Sequence, residues 1–301
     1  MPKQRPSLDL AALLPSWELH LRAERKSPAT LKVYAGGARA FLAWAERTGT
    51  PAVLDRATVT AYVADLLDHG AEGNSAKARQ LALRRFAAWL VEEGELDADP
   101  LLGLKPPRVD EKVTPVLSDA QLKALLGACQ GPTFLHRRDD ALVRLMLETG
   151  LRAGEAVALT VDDVDLRAGT ALVRRGKGGK GRLVPFGPQT GRALDRYLRL
   201  RRAHRLAASP ALWLGARSKT LGYSGLHAAL GDRATLAGIK GFHPHVLRHT
   251  AAHRWLAAGG TEGGLMAVAG WSRRDMLDRY AAATAAERAA DEARRLGLGD
   301  L

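Results

Sequence analysis

The sequence predicts a mainly α-helical protein with one small antiparallel β-sheet, divided into two domains. Three observations carry this expectation. Apolar residues recur at helical spacing along most of the 301 residues. Two short β-like runs, 170–175 and 182–186, flank a glycine-rich segment, 176–181. The stretch Lys105-Pro106-Pro107-Arg108-Val109-Asp110-Glu111 has mixed charge and no periodicity, and reads as a linker. We therefore expect a helical domain over 1–103, a linker over 104–114, and a helical domain with the small sheet over 115–301.

The elements follow in order. A first helix is expected near 8–22. Ser27-Pro28 supplies an N-cap and a proline at the first helical position for a helix to residue 47, whose stripe is Leu31, Tyr34, Ala38, Phe41, Leu42 and Trp44. A shorter helix spans 58–67. A third long helix spans 75–93, with Leu81, Leu83, Phe86, Trp89 and Leu90 opposed to Lys77, Arg79, Arg84 and Arg85. Beyond the linker, Ser118 with Gln121 three residues on forms a capping-box signature for a helix to 129. Helices are expected at 135–149, stopped by Gly150, and at 153–159. After the two strands, helices are expected at 189–207, 223–237, 245–258, 262–269, 273–281 and 284–296.

Composition narrows function. Hydrophobic residues make up 46% and charged residues 26%, as in a folded soluble protein. The single cysteine, Cys129, excludes an intramolecular disulfide and a cysteine-built zinc site. No apolar run approaches the roughly 18 residues of a membrane span, so a cytoplasmic protein without a membrane partner is expected. Lys and Arg number 45 against 32 Asp and Glu, for a net charge of +13. Residues 171–254 hold most of that excess, with Asp195 and Asp232 as their only acids. A field this concentrated points to a polyanion, first of all nucleic acid.

Five residues make a chemical constellation. His245 and Arg248 stand three apart on one helix face. Arg152 follows Thr149-Gly150-Leu151 at a turn between helices, Lys177 sits in the glycine-rich tip, and Tyr280 lies nine residues after Trp271. Guanidinium forks neutralise the non-bridging oxygens of a phosphodiester and stabilise a pentacoordinate phosphorane without a metal. A tyrosine hydroxyl is a competent nucleophile on phosphorus. Histidine moves its proton, and a lysine on a hairpin protonates the leaving sugar oxygen. No cofactor and no metal is required.

In this order the residues resemble the tyrosine recombinase family of phage integrases and bacterial chromosome-dimer-resolving recombinases. Thr149-Gly-Leu-Arg152-Ala-Gly-Glu155, with Leu159-Thr160 and Asp163, resembles its arginine box. Gly176-Lys-Gly-Gly-Lys-Gly-Arg-Leu-Val-Pro185 resembles its lysine hairpin, His243-Pro-His-Val-Leu-Arg-His249 its His-x-x-Arg box, and Ala269-Gly-Trp-Ser272 followed by Tyr280 its last box. Residues 20–100 are similar, more loosely, to the family's helical core-binding domain.

The resemblance implies a site-specific DNA recombinase or integrase that cleaves and rejoins strands through a 3′-phosphotyrosine, with a core-binding domain followed by an α+β catalytic domain. It implies Tyr280 as nucleophile, Arg152 and Arg248 as phosphate clamps, Lys177 as general acid, His245 as acid/base partner and Glu155 as support. Where the commonest family pattern has His, this chain has Trp271, whose indole N–H donates but does not titrate. Lys26, Lys77, Arg79, Arg84, Arg85, Lys180 and Arg182 are expected to contact DNA. The implied partners are double-stranded recombination sites, a homotetramer on two of them, and accessory DNA-bending or directionality proteins. The 284–295 helix is expected to dock on a neighbouring protomer.

Alternatives stay open at this level. A catalytically silent DNA-binding protein would share the charge, and a type IB topoisomerase-like relaxing enzyme would share the chemistry. Lys180 rivals Lys177 as proton donor, although the resemblance selects Lys177. His245, His249 and His253 at i, i+4, i+8 form a potential metal face, without an adjacent carboxylate. Arg192, Arg196, Arg199, Arg201, Arg202 and Arg205 form a basic helix, either a solvated face or a set of phosphate contacts.

Overall fold

The computed structural model describes residues 8–109, 115–174, 181–216, 219–271, Leu277 and Arg294. The expected helices at 273–281 and 284–296 lie outside the described residues, as do Lys177, Lys180 and Tyr280. The chain divides into two compact units between residues 112 and 113.

The first unit is helical: α1 (Leu10–Ala23), α2 (Pro28–Thr48), α3 (Arg56–Asp68) and α4 (Gly73–Glu92). The Ser27 hydroxyl accepts from the Thr30 N–H with Pro28 at the first position, so α2 starts where its sequence signal stands. Gly49 at φ +64° ends it. The core is largely aromatic. Trp17 meets Phe86 at 4.7 Å between ring centroids, and Tyr62 meets Phe41 and Trp44 at 5.4 and 5.3 Å. Rings of this size bring the apolar area a small unit needs. Helices α2 and α4 approach closely because position 37 is glycine; a Cβ there would stand 2.6 Å from that of Ala82.

The second unit holds α5 (Asp119–Ala128), α6 (Phe134–Thr149), α7 (Ala153–Ala158), a 3₁₀ turn (Val161–Asp163), β1 (Val164–Asp165), β2 (Thr170–Val173), β3 (Arg182–Pro185), α8 (Pro188–Arg202), α9 (Tyr223–Leu236), α10 (His245–Ala257) and α11 (Glu262–Ala269). The Ser118–Gln121 capping box forms in both directions. The sheet is antiparallel in the order β1-β2-β3, with Val164 opposite Ala171 and Val173 opposite Arg182. Strand β1, two residues long, has no sequence expectation of its own. Helix α6 runs through the core, with Leu142, Val143, Leu145 and Met146 all buried. Two of the large polar side chains in the core are paired: the Trp213 indole donates to the Ala156 carbonyl at 2.9 Å, and the Tyr197 hydroxyl donates to that of Leu212 at 2.9 Å.

Helix α8 ends at Arg202, five residues before its expected end. The cause is Arg201, whose buried guanidinium folds back and donates to the carbonyls of Ala207, Ser209, Ala211 and Leu212. Those carbonyls need a donor off the helix path, so the chain turns. Arg201 is therefore structural, whereas Arg192, Arg196, Arg199, Arg202 and Arg205 are exposed.

Candidate active site

Arg152 sits at the start of α7. Gly150, at φ +62°, closes α6 in the left-handed region, and Arg152 then caps the next helix two residues later. Glu155, in the third position of α7, reaches back. Its Oε2 accepts from the Arg152 main-chain N–H at 3.0 Å, and its Oε1 accepts from Arg152 Nη1 at 2.9 Å. The Arg152 side chain keeps 24% of its surface in solvent, against 6% for Glu155.

Arg248 comes from α10, yet its Nη1 donates to the Gly150 carbonyl at 2.5 Å, two residues before Arg152. Its Nη2 donates to the Ala269 carbonyl at 2.8 Å, at the end of α11. The guanidinium lies over the Trp271 ring, 5.2 Å from its centroid, and Arg248 is only 1% exposed. Trp271 is buried with Ala252, Leu256, Leu265, Ala269 and Leu277.

His245 is the first residue of α10 and keeps contact with solvent. Loss of hydration lowers its pKa below the ordinary 6.5, and the positive neighbours Arg248, His243 and Arg152 lower it further. Both effects favour the neutral imidazole. Its ring meets that of His249 edge-on at 4.4 Å. Among the described residues, no group of three His, Cys, Asp or Glu side chains is arranged to hold a metal. In the free protein, His245 should titrate below pH 6.5. A bound anion beside Arg152 and Arg248 should raise it, because the anion offsets the cations that disfavour imidazolium. A histidine-labelled NMR titration with and without duplex DNA checks both signs, and a free-state value above 6.5 would contradict them.

The expected DNA contacts fall into different environments. Lys77 and Arg85 are exposed, and Lys26 is exposed beside Glu24 at 3.4 Å. Arg79 and Arg84 are half-buried, and Arg79 donates to the Tyr62 hydroxyl at 3.3 Å. Arg182, expected from sequence to contact DNA, is engaged inside the protein. Its Nη1 and Nη2 donate to Glu155 Oε1 and Oε2 at 3.1 and 2.8 Å, and its Nε donates to the Val268 carbonyl at 2.8 Å. Asp163 has a comparable place on the other strand: its Oδ1 accepts from Arg174 Nε at 2.6 Å, just past β2. Both strands are thus tied to carboxylates from the segment that carries Arg152. The arginine box in the sequence contains both acids, but nothing local to it names their partners.

Comparison with known proteins agrees with this fold. The model of the phage integrase family matches residues 115–287, and that of the phage integrase N-terminal SAM-like domain matches residues 14–94. Tyrosine recombinase XerC of Pseudomonas fluorescens is 34% identical over 244 residues, covering 79% of this chain and 80% of the relative. XerC of Chromobacterium violaceum is 35% identical over 246 residues, 80% of each. Among solved structures, XerA recombinase aligns over 90% of this chain and 93% of its own, with 26% identity and a TM-score of 0.52. A Tn1549 transposon integrase aligns over 97% and 100%, with 17% identity and a TM-score of 0.75. The chain belongs to the phage integrase family and is a tyrosine recombinase, an enzyme of site-specific DNA strand breakage and rejoining. No helix among the described residues is long and apolar enough to cross a membrane.

Proposed function

We propose that the chain cleaves duplex DNA at paired recombination sites with Tyr280 as nucleophile and rejoins the strands in exchanged partnership. The Tyr280 oxygen attacks the scissile phosphorus while the bond to the 5′ oxygen breaks. The phenolic proton passes to neutral His245, and the leaving 5′ oxygen takes a proton from the Lys177 ammonium. The product is a 3′-phosphotyrosine and a free 5′-hydroxyl. One phosphodiester has replaced another, so the reverse attack by a new 5′-hydroxyl needs no ATP. Arg152, partly exposed, clamps a non-bridging oxygen, and Arg248 supplies positive charge from beneath. The observation that carries this reading is the Arg248–Gly150 bond, which joins the two arginine-bearing segments across 98 residues of sequence.

Lys26, Lys77, Arg79, Arg84, Arg85 and Lys180 are proposed contacts to the DNA backbone, where such groups give salt-dependent affinity. Solved members of the fold include lambda integrase as a tetramer bound to a Holliday junction. A homotetramer on two sites, with accessory DNA-bending or directionality proteins and a cytoplasmic setting, suits the same chemistry here. The domains would be 1–103 and 115–301, joined by 104–114.

The test is a nicked duplex carrying the sites recovered by selecting bound fragments from a random DNA pool. The full chain should leave a covalent protein–DNA adduct, and Tyr280→Phe should leave none. An adduct that persists in Tyr280→Phe sinks the nucleophile assignment. Binding without an adduct in the unaltered protein would make the chain a silent DNA-binding protein.

A further inference from the structure

Arg182 opens β3 opposite Val173, where the chain re-enters the sheet after the sequence segment that contains Lys177. Its side chain is 11% exposed, and all three guanidinium nitrogens have protein acceptors. The two Glu155 oxygens it grips are the same two that receive Arg152. One carboxylate therefore joins two guanidiniums, one nearly buried and one at the surface. Burial would push the Glu155 carboxyl up, but the bonds from Arg182 and the Arg152 main chain outweigh this and hold it below the usual range. It stays an anion and keeps both grips.

The third bond runs elsewhere. Val268 and Ala269 offer the last carbonyls of α11, where a helix leaves acceptors without helical donors. Arg182 takes the first and Arg248 the second. Gly270 then turns at φ +64°, and a Cβ there would stand 2.9 Å from the Arg182 guanidinium carbon. Trp271 follows directly, and the chain continues towards Tyr280.

We propose that Arg182 is a positioning residue for strand cleavage: one guanidinium fixes Arg152 through Glu155 and fixes the end of α11 through Val268. It does not touch DNA. It links the arginine box, the strand that follows the Lys177 segment and the segment leading to the nucleophile. Lysine cannot replace it, since a point charge does not span two carboxylate oxygens and a carbonyl at fixed angles. The inference rests on the cleavage reaction proposed above.

The experiment uses the full chain and the selected nicked duplex, and measures adduct formation at saturating DNA alongside DNA affinity at several salt concentrations. Arg182→Gln should slow adduct formation by about 100-fold, the cost of a small misplacement of reacting groups. Its affinity should stay within about threefold, with the salt dependence unchanged. Arg182→Lys should remain at least about tenfold slow despite its charge. In a Glu155→Gln background, Arg182→Gln should slow cleavage by clearly less than it does alone, because the route through Glu155 is already broken and only the tie to Val268 remains to be lost. Gly270→Ala, which crowds the guanidinium and strains the left-handed turn at the end of α11, should slow cleavage in the same sense.

Reduced affinity and a shallower salt dependence, with normal cleavage at saturation, would make Arg182 a phosphate contact and overturn the proposal. So would full rescue by lysine, independent effects in the double variant, or a lowered unfolding temperature with unchanged cleavage per folded molecule. If Arg182→Gln does not fold, Arg182→Lys and Gly270→Ala are judged by the same criteria. An unaltered protein without an adduct, or one whose adduct survives Tyr280→Phe, refutes the cleavage reading itself and takes this proposal with it. Normal cleavage in the Arg182 variants refutes the positioning role alone.

Discussion

Replacing Arg248 by alanine is expected to abolish detectable adduct formation and to lower unfolding free energy by about 2–5 kcal/mol. The stability loss has two origins. The side chain is only 1% exposed, so truncation leaves a cavity beneath Trp271. The Gly150 and Ala269 carbonyls lose the donors at 2.5 and 2.8 Å that now serve them. Each buried acceptor left without a partner costs about 1–3 kcal/mol. The activity loss has a separate origin, the removal of the positive charge proposed to lie beneath the developing phosphorane, where preorganised electrostatic stabilisation is worth about 100- to 1000-fold. Losing the tie to Gly150 also frees the turn that orients Arg152.

The two effects separate by variant. Arg248→Met keeps most of the volume, so urea unfolding should show a smaller loss than for alanine, while cleavage should be as low. Arg248→Lys keeps charge but not the fork that reaches two carbonyls, and should fall between these variants and the unaltered protein in cleavage. If Arg248→Met retained more than about a hundredth of normal cleavage per folded molecule, the electrostatic role would be wrong.

How much of this was legible beforehand depended on how local the cause was. Ser27-Pro28, the Ser118–Gln121 box and Gly150 act within a few residues of themselves, and all three do in the structure what their sequence predicts. The long helices were equally plain, since a face of Phe41 and Trp44 or of Leu83, Phe86 and Leu90 repeats along the chain. Arginines were not. Arg201 and Arg202 are adjacent and identical in type, yet one is buried among four carbonyls and the other is exposed. Arg182 likewise looked like one more cation in a basic hairpin, and its acceptors lie 27 and 86 residues away. A guanidinium binds phosphate, carboxylate or carbonyl with similar geometry, so only the assembled fold shows which it meets. Strand β1 leaves no sequence signal for a related reason, because two residues make a strand only when β2 supplies the register.

Acid should act on the site through Glu155. Its folded pKa lies below the ordinary 4.5, because the bonds from Arg182 and Arg152 outweigh burial. A group with a depressed folded pKa contributes stability that is fully present above its unfolded value, and loses it as pH falls through the folded value. That contribution should be complete at pH 7 and disappear progressively below about pH 4.5. Glu155→Gln should therefore be less stable at pH 7 by about 2–4 kcal/mol, since two neighbouring guanidiniums lose their shared anion. As pH drops below 4.5 the deficit should shrink, because the unaltered protein loses by protonation what the variant lacks already. Desolvation would raise the Asp163 carboxyl, but its bonds from Thr160 and Arg174 outweigh this and lower it as well. It is present in both proteins, so their difference isolates Glu155. Urea unfolding at pH 7 and at successive points below 4.5 checks this; stability curves that stay parallel would show that the carboxylate carries no linked proton. Cleavage at pH 7 should fall by about 100-fold in the variant, because a glutamine keeps a single acceptor oxygen and the partly exposed Arg152, the proposed clamp, is no longer held at both Nη1 and its main-chain N–H.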